Sequence, residues 1–257
     1  MKFGRLPRAH DPRVPHLSPL IAGRKRSLAP IPLSCDYAQT LPIDLGMMGN
    51  DSVGDCTCAG AAHAIQVWTY FSHGQEITAA DDQVLDWYKA LSGFDPERPE
   101  TDRGCVEQTV LQHWLTAGLP LGNGATDQLV GYFEVDCRNM ADVRRAIAEC
   151  GICYLGMLVP PWLEAGEPPE IWDRRLGDAD ALNQDGGHCV VACSYDATTI
   201  GIVSWGRRYR LTDAFCAEFL DEAYGLVSQD FIEATGKTPL GLTAAEVESQ
   251  MAGLRAS

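Results

Sequence analysis

A cysteine that directly precedes an alanine-rich helical stretch is the feature that most constrains how this chain folds. Cys56 follows a turn rich in glycine, asparagine and aspartate (residues 49–55), and an apolar stretch at residues 59–71 comes next. This order predicts that Cys56 lies in the first turn of a helix. Free backbone N–H groups and the helix dipole favour a thiolate there, and the thiolate is the nucleophilic form of cysteine.

A histidine far along the chain is the candidate partner of this thiol. His188 lies in the run GGHCVV, 132 positions after Cys56. Catalytic histidines of cysteine hydrolases follow the nucleophile by about 130–150 positions in one large group of these enzymes. The other histidines within helical patterns, His63 and His113, are expected to be packed core residues. Cys56 and His188 are therefore the main lead to function.

The hydrophobic pattern changes from helical to strand-like about half-way along the chain. Apolar residues recur at helical spacing through residues 56–118. The further predicted helices cover residues 140–150, 212–221 and 243–252, and the predicted strands cover residues 152–159, 188–195, 199–205 and 224–228. Cys56 thus belongs to a helical lobe and His188 to a β-rich lobe, so the two would meet in a cleft between lobes.

The chain is long enough for one large domain with additional segments at its ends. Its 257 residues are 46% hydrophobic, which suffices for a sizeable core. We predict an irregular arm at residues 1–45, in which prolines interrupt any helix, a domain at residues 46–235 and a helical tail at residues 236–257. Within the domain, residues 46–135 are expected to be mainly helical and residues 136–235 mainly β.

The arm at residues 1–45 carries the only concentration of basic residues. We expect it to be solvated, and two alternatives stay open: it lies across its own domain, or it docks on a protein assembly partner. The whole chain has a net charge of −15. This charge argues against a nucleic acid or an anionic membrane as a partner, because phosphate binding requires clustered lysine and arginine.

No sequence feature indicates export or membrane insertion. No segment approaches the roughly 20 apolar residues that span a bilayer, and residues 1–7 lack the apolar run of a signal peptide. A cytoplasmic location is therefore expected, or a virion if the protein is encoded by a phage.

The ten cysteines raise the question of metal binding. Cys56 and Cys58, and Cys150 and Cys153, have spacings that zinc ligands use, but no second turn-forming pair accompanies them. No metal and no cofactor are predicted, and most of the thiols are interpreted as reduced core residues.

An ordered set of motifs, over about residues 46–228, resembles the papain-like cysteine peptidases. Asn50 lies six residues before Cys56, where the family has a glutamine, and the run DRGC at residues 102–105 precedes a helix. The segment around His188 and the strand IVSWG at residues 202–206 resemble the two motifs of the family's second lobe. Divergent bacterial and phage members share the arm and the run before the cysteine.

The resemblance implies an α+β fold, in which a helical lobe packs against a β-rich, antiparallel, barrel-like lobe. It also implies a thiol protease that hydrolyses a peptide or isopeptide bond in a protein or peptide substrate. Cys56 would be the nucleophile and His188 its base, and Asn50 would donate to the oxyanion.

Departures from the family pattern leave a second interpretation open. The asparagine that orients the family's histidine is replaced by Val203 if the chain is aligned on Trp205, or by Ser204 if residues are counted from His188. Asp55 is also expected to raise the pKa of the neighbouring thiol. The alternative is a catalytically weak or inactive papain-like module that serves as a binding or structural component, for example of a phage particle.

Overall fold

A buried helix packs against a large, mainly antiparallel sheet at the centre of the fold. The structure is a computed structural model that describes residues 2–24, 28–42, 44–122, 124–178 and 183–256. Its helices are α1 (Leu17–Arg24), α2 (Cys56–His73), α3 (Asp81–Ser92), α4 (Glu107–Thr116), α5 (Met140–Cys150), α6 (Pro161–Glu164), α7 (Asp213–Phe219), α8 (Gln229–Thr235) and α9 (Ala244–Arg255). Its strands are β1 (Cys35–Asp36), β2 (Leu119–Pro120), β3 (Thr126–Asp127), β4 (Gly131–Glu134), β5 (Cys153–Val159), β6 (Ile171–Trp172), β7 (Asn183–Tyr195), β8 (Thr199–Ser204), β9 (Arg207–Thr212) and β10 (Leu220–Val227).

Helix α2 is buried on all sides over its first fourteen residues, Cys56 to Thr69. Its small residues let it approach the sheet closely. A Cβ atom on Gly60 would lie only 3.0 Å from the Tyr154 ring on β5 and 3.3 Å from the Cys189 sulfur on β7. The glycine and the alanines of α2 therefore bring its first turns against the strand that carries His188.

The main sheet has the strand order β4-β10-β5-β7-β8-β9-β6, and β1 pairs with β7. Its pairs are antiparallel except that of β6 with β9. This mixture of helices and antiparallel strands confirms the predicted α+β class. The predicted barrel-like closure is not observed, because within the described residues the outer strands β4 and β6 do not pair with each other.

Several predicted elements match the structure in the second half of the chain, although β10 begins at Leu220 rather than at residue 224 and β9 was not predicted. Helix α5 has the predicted bounds, and α9 has the predicted capping box, in which Thr243 accepts from the Glu246 backbone N–H and the Glu246 carboxylate accepts from the Thr243 backbone N–H. Strand β7 is longer than predicted, because it begins at Asn183 rather than at His188.

The arm differs most from the prediction. It contains helix α1, although prolines were expected to prevent any helix. Pro19 is the third residue of α1, where its missing N–H has no intrahelical partner to lose. The expectation of a solvated arm is also wrong in part, since Arg5, Val14 and Leu17 are buried.

The cysteines are mainly interior residues, since nine of the ten are buried. In the described part of the chain, no three histidine, cysteine or acidic side chains are grouped so that they could hold a metal ion. The described helices include none with the length and apolar character needed to cross a bilayer.

Candidate active site

The turn before Cys56 is held by the half-buried carboxylate of Asp102. The single Gly54 N–H is shared between the two Asp102 oxygens, at 3.0 and 3.1 Å, and the Tyr88 hydroxyl donates to Oδ1 at 2.6 Å. The Asp55 carbonyl then accepts from the N–H groups of Cys58 and Ala59, which begins helix α2. Cys56 is consequently the first residue of the helix, in the place that the sequence predicts.

The Cys56 thiol is enclosed and lies against strand β7. The side chain is 1% exposed, and the backbone N–H groups of Cys189 and Gly4 point to its sulfur. Burial raises the pKa of the thiol to about 12; the two N–H groups oppose this rise and the nearby Asp55 adds to it. Cys56 is thus a neutral thiol in this arrangement.

His188 is held in place on one nitrogen and on one ring face. Its Nε2 lies 2.7 Å from the Ser204 hydroxyl, and its ring stacks on Trp205 at 4.3 Å between centroids and 14° between planes. Its Nδ1 is buried and has no hydrogen-bond partner among the described residues. Nδ1 is therefore the nitrogen left to exchange a proton.

The histidine is also neutral in this arrangement. Burial, with a smaller contribution from the positive charge of Arg5, lowers the pKa of His188 to about 3. The described hydrogen bonds include none between Cys56 and His188, although Cys189, whose N–H points to the Cys56 sulfur, is adjacent to His188 in β7. The two groups lie at the same junction of helix α2 and strand β7, and they do not form an ion pair here.

Of the two candidates for orienting the histidine, Ser204 is the one that contacts it. Val203 instead lies within the sheet, opposite Val191 on β7 and Arg208 on β9. A hydroxyl therefore occupies the position where the resemblance implies a carboxamide.

Asn50 is buried beside the cysteine turn, but its amide is engaged. Its Nδ2 donates to the Val53 carbonyl and to the Asp55 carboxyl, both at 3.1 Å. An amide has two N–H donors, so both are used. A role for Asn50 in binding an oxyanion would require one of these bonds to open.

Asp55 is fully buried, and among the described residues only one of its carboxyl oxygens finds a hydrogen-bond partner. Burial raises its pKa to about 8, against the opposing effect of the Asn50 hydrogen bond. The side chain is consequently neutral near pH 7, and its negative charge does not oppose a thiolate at Cys56 below about pH 8.

Residues 2–6, here called the covering segment, also belong to the site, although no sequence motif indicates this. Phe3 lies edge-on against the His188 and Trp205 rings, at 5.4 and 5.5 Å between centroids. The backbone of Gly4 is in close contact with the backbones of two other glycines, Gly54 and Gly104. A Cβ on Gly4 would be 1.8 Å from the Gly54 oxygen, and a Cβ on Gly104 would be 1.9 Å from the Gly4 oxygen.

The covering segment pairs with both walls of the site through its backbone. Arg5 exchanges two hydrogen bonds with Gly187, at 3.0 and 2.9 Å. On the other wall, Cys105 donates to the Gly4 carbonyl at 2.8 Å and accepts from Leu6 at 3.0 Å. The segment thereby closes the space between the helical half and strand β7. In the sequence, the adjacent Gly4 and Arg5 are the only local feature that hints at this close packing of the segment.

Comparison with solved structures gives the class of fold. The chain is similar to xylellain, a cysteine protease from Xylella fastidiosa, with a TM-score of 0.65 and 15% identity over 88% of this chain and 96% of that one. It is also similar to the Carica candamarcensis cysteine protease CMS1MS2, with a TM-score of 0.54 and 18% identity over 77% of this chain and 99% of that one.

A third similar structure is procathepsin L 3 of the Tenebrio molitor larval midgut, with a TM-score of 0.57 and 12% identity over 88% of this chain and 76% of that one. No protein-family model matches the chain, and no curated protein sequence matches it significantly. The chain therefore has the fold of the papain-like cysteine proteases, as its motifs predict.

Proposed function

We propose that this chain is a latent cysteine peptidase, in which Cys56 and His188 hydrolyse a peptide or isopeptide bond once the covering segment has left the site. The observation that carries the proposal is the state of His188. Ser204 holds its Nε2 and Trp205 holds its ring. No described residue hydrogen-bonds to its Nδ1, and the next residue of the strand, Cys189, contacts the Cys56 sulfur.

The proposed reaction proceeds through an acyl-enzyme. His188 takes the proton of Cys56, and the thiolate attacks the substrate carbonyl carbon. The Cys56 backbone N–H, which belongs to the first helical turn and has no intrahelical acceptor, donates to the oxyanion. His188 then gives its proton to the leaving amine, and water attacks the thioester to release the acid and restore the thiol.

The covering segment presents an N–H group, rather than a carbonyl oxygen, to the thiol. Gly4 presents its N–H to the Cys56 sulfur, and its carbonyl oxygen is bonded to the Cys105 N–H. A nucleophile needs a carbonyl carbon within reach instead. This contact supports occlusion of the site by residues 2–6, with both reactive groups kept neutral by the exclusion of water.

The proposal predicts a His188-dependent reactivity of Cys56. In an Arg5→Ala chain, which loses the buried side chain of the covering segment, we expect Cys56 to react with iodoacetamide at pH 6, because an opened site allows a thiolate–imidazolium pair. Adding His188→Ala should remove this reactivity and leave reaction only near the ordinary thiol pKa of about 8.5. Mass spectrometry locates and quantifies the adducts, and casein digestion measures hydrolysis.

Cys35 is the internal reference, since it is the one cysteine that is not buried. The adduct at Cys35 should depend on pH in the same way with and without His188→Ala. A Cys56 that reacts no faster at pH 6 than Cys35, or equally fast without His188, would contradict the proposal.

Ser204 is proposed as a positioning residue for His188. Removing a neutral hydrogen bond of this kind costs about 1 kcal/mol, so we expect Ser204→Ala in the Arg5→Ala chain to lower kcat about 5- to 10-fold. KM should change little, because Ser204 is buried behind the histidine. Ser204→Thr keeps the hydroxyl and should restore most of kcat, whereas an equal loss in both variants would indicate a packing effect only.

The alternative is a papain-like module that binds or assembles without hydrolysis. The commitment of both Asn50 N–H groups favours it, since the oxyanion would then have one donor fewer. It predicts that opening the site gives an unreactive Cys56 and no digestion of casein, so the same experiment separates the two functions.

A further inference from the structure

The Arg5 side chain fills a pocket that opens from the candidate active site. Its guanidinium donates to Glu222 at 2.5 Å through Nη1 and to Asp221 at 2.7 Å through Nη2. Glu107 of helix α4 lies close enough to act on the same charge. These three acidic residues, together with Gly156 and Gly187, are here called the acidic pocket.

The two glycines shape the acidic pocket for a long basic side chain. A Cβ on Gly187 would lie 2.7 Å from the Arg5 Nε and 2.8 Å from Nη2. A Cβ on Gly156 would lie 2.5 Å from Glu222 Cγ, 2.6 Å from Glu107 Oε1 and 3.0 Å from Arg5 Cδ. Side chains at these positions would close the space that the guanidinium occupies.

The acidic pocket contains more carboxyl groups than Arg5 can satisfy. Glu107 is fully buried, and apart from a contact with the Cys189 thiol, neither of its oxygens receives a hydrogen bond from the described residues. One guanidinium faces three acidic side chains, two of them buried and the third, Asp221, only 26% exposed. Burial raises the pKa of Glu107 well above its usual value, so this carboxyl group is neutral beside the two ion pairs. A fully buried carboxyl group without a hydrogen-bond donor is still costly to keep in a site that serves only to anchor the segment.

We infer that the acidic pocket selects an arginine side chain in the substrate, and that Arg5 occupies it in the latent chain; this inference rests on the proposed function. Gly4 lies at the thiol and its neighbour Arg5 enters the acidic pocket. Because Gly4 turns its N–H and not its carbonyl to the thiol, a substrate that offers a carbonyl carbon there runs in the opposite direction to the covering segment. The selected arginine therefore directly precedes the residue whose carbonyl carbon is attacked.

Arginine suits this pocket better than lysine. Glu222 and Asp221 receive separate nitrogens of one planar group. A guanidinium reaches two carboxylates at once in a fixed geometry, whereas an ammonium acts as a single, more strongly hydrated charge. The substrate class is accordingly polypeptides with arginine at this position.

Binding without chemistry tests the inference directly. In the full-length Arg5→Ala/Cys56→Ala chain, we expect acetyl-Arg-Ala-amide to bind at least about tenfold more tightly than acetyl-Cit-Ala-amide by calorimetry, since citrulline keeps the shape but lacks the charge. Glu222→Gln should reduce this ratio toward one. Glu248→Gln, which removes an exposed carboxylate from helix α9, is the matched control and should leave the ratio unchanged.

Labelling then separates this inference from the proposed function. Chloromethyl ketones of acetyl-Arg-Ala and acetyl-Cit-Ala are compared for their rate of reaction with Cys56 in the Arg5→Ala chain. Faster reaction of the arginine reagent supports both proposals. If the arginine peptide binds preferentially but neither reagent labels Cys56, the inference about the acidic pocket is supported and the proposed peptidase function is contradicted.

Equal binding of the arginine and citrulline peptides would overturn the inference, whatever the reactivity of Cys56. If Arg5→Ala does not fold, Arg5→Met keeps the apolar contacts of the side-chain stem and vacates the charged end, so the comparison is made in that chain.

Discussion

Replacing Arg5 by alanine should raise the rate at which iodoacetamide alkylates Cys56 at neutral pH about 100-fold or more over the wild-type chain. The covering segment excludes the reagent, because Cys56 is 1% exposed beneath it. Removing one partner from a buried ion pair costs about 3–5 kcal/mol. In this chain the carboxylates left behind regain water when the segment leaves, so the loss favours the open form.

Two further variants make this prediction specific. Gly4→Val should also expose Cys56 without any change of charge, because a side chain at this position collides with the Gly54 carbonyl. Arg13→Ala is the matched control, since Arg13 is exposed and its side chain pairs, within the described part of the chain, with Asp11 and the Gly253 carbonyl. Alkylation that is equally slow in Arg5→Ala, Gly4→Val and Arg13→Ala chains would show that residues 2–6 do not limit access.

Replacing Asp55 by asparagine should remove a large alkaline loss of stability. The Asp55 carboxyl ionises near pH 3.8 in the unfolded chain but near pH 8 in the folded protein. Between these values, unfolding releases a proton, so the free energy of unfolding falls as the pH rises. The contribution is fully present below about pH 4 and is lost as the pH passes about 8.

Urea denaturation at pH 5 and pH 8 measures this effect. We expect the change in unfolding free energy between the two pH values to differ by about 3 kcal/mol between wild type and Asp55→Asn. His63 and His188, whose pKa values are lowered to about 4 and about 3, act in the opposite direction below pH 6.5. Both chains contain them, so their effect cancels in the comparison.

Asp86→Asn, which neutralises an exposed carboxylate on helix α3, is the control. It should reproduce the pH dependence of the wild type. If Asp55→Asn does so as well, Asp55 is ionised in the folded protein, and its charge would then oppose a thiolate at Cys56.

Local patterns in the sequence predicted the elements that carry the site. The turn and alanine-rich stretch gave the start of α2 at Cys56, and the strand-like run gave the strand that contains His188. The capping box of α9 was equally visible. These features depend on neighbouring residues and on hydrophobic periodicity, which one sequence displays directly.

Local sequence patterns did not predict the contacts and the burial of the individual side chains. Both Val203 and Ser204 were candidates to orient the histidine, and only the pairing of β7 with β8 brought the Ser204 hydroxyl to it. The charge of Asp55 was expected to oppose the thiol, whereas burial makes the group neutral. Burial and register depend on contacts between distant residues.

The sequence by itself determined the α+β class, the helix that begins at Cys56 and the strand of His188, because periodicity and turn residues act over a few positions. Only the tertiary structure decided that residues 2–6 cover the site and that Arg5 lies among Glu107, Asp221 and Glu222. These acids are separated from Arg5 by more than 100 positions. Only folding brings such charges together, because the local sequence around an arginine does not show whether its side chain will be solvated or buried.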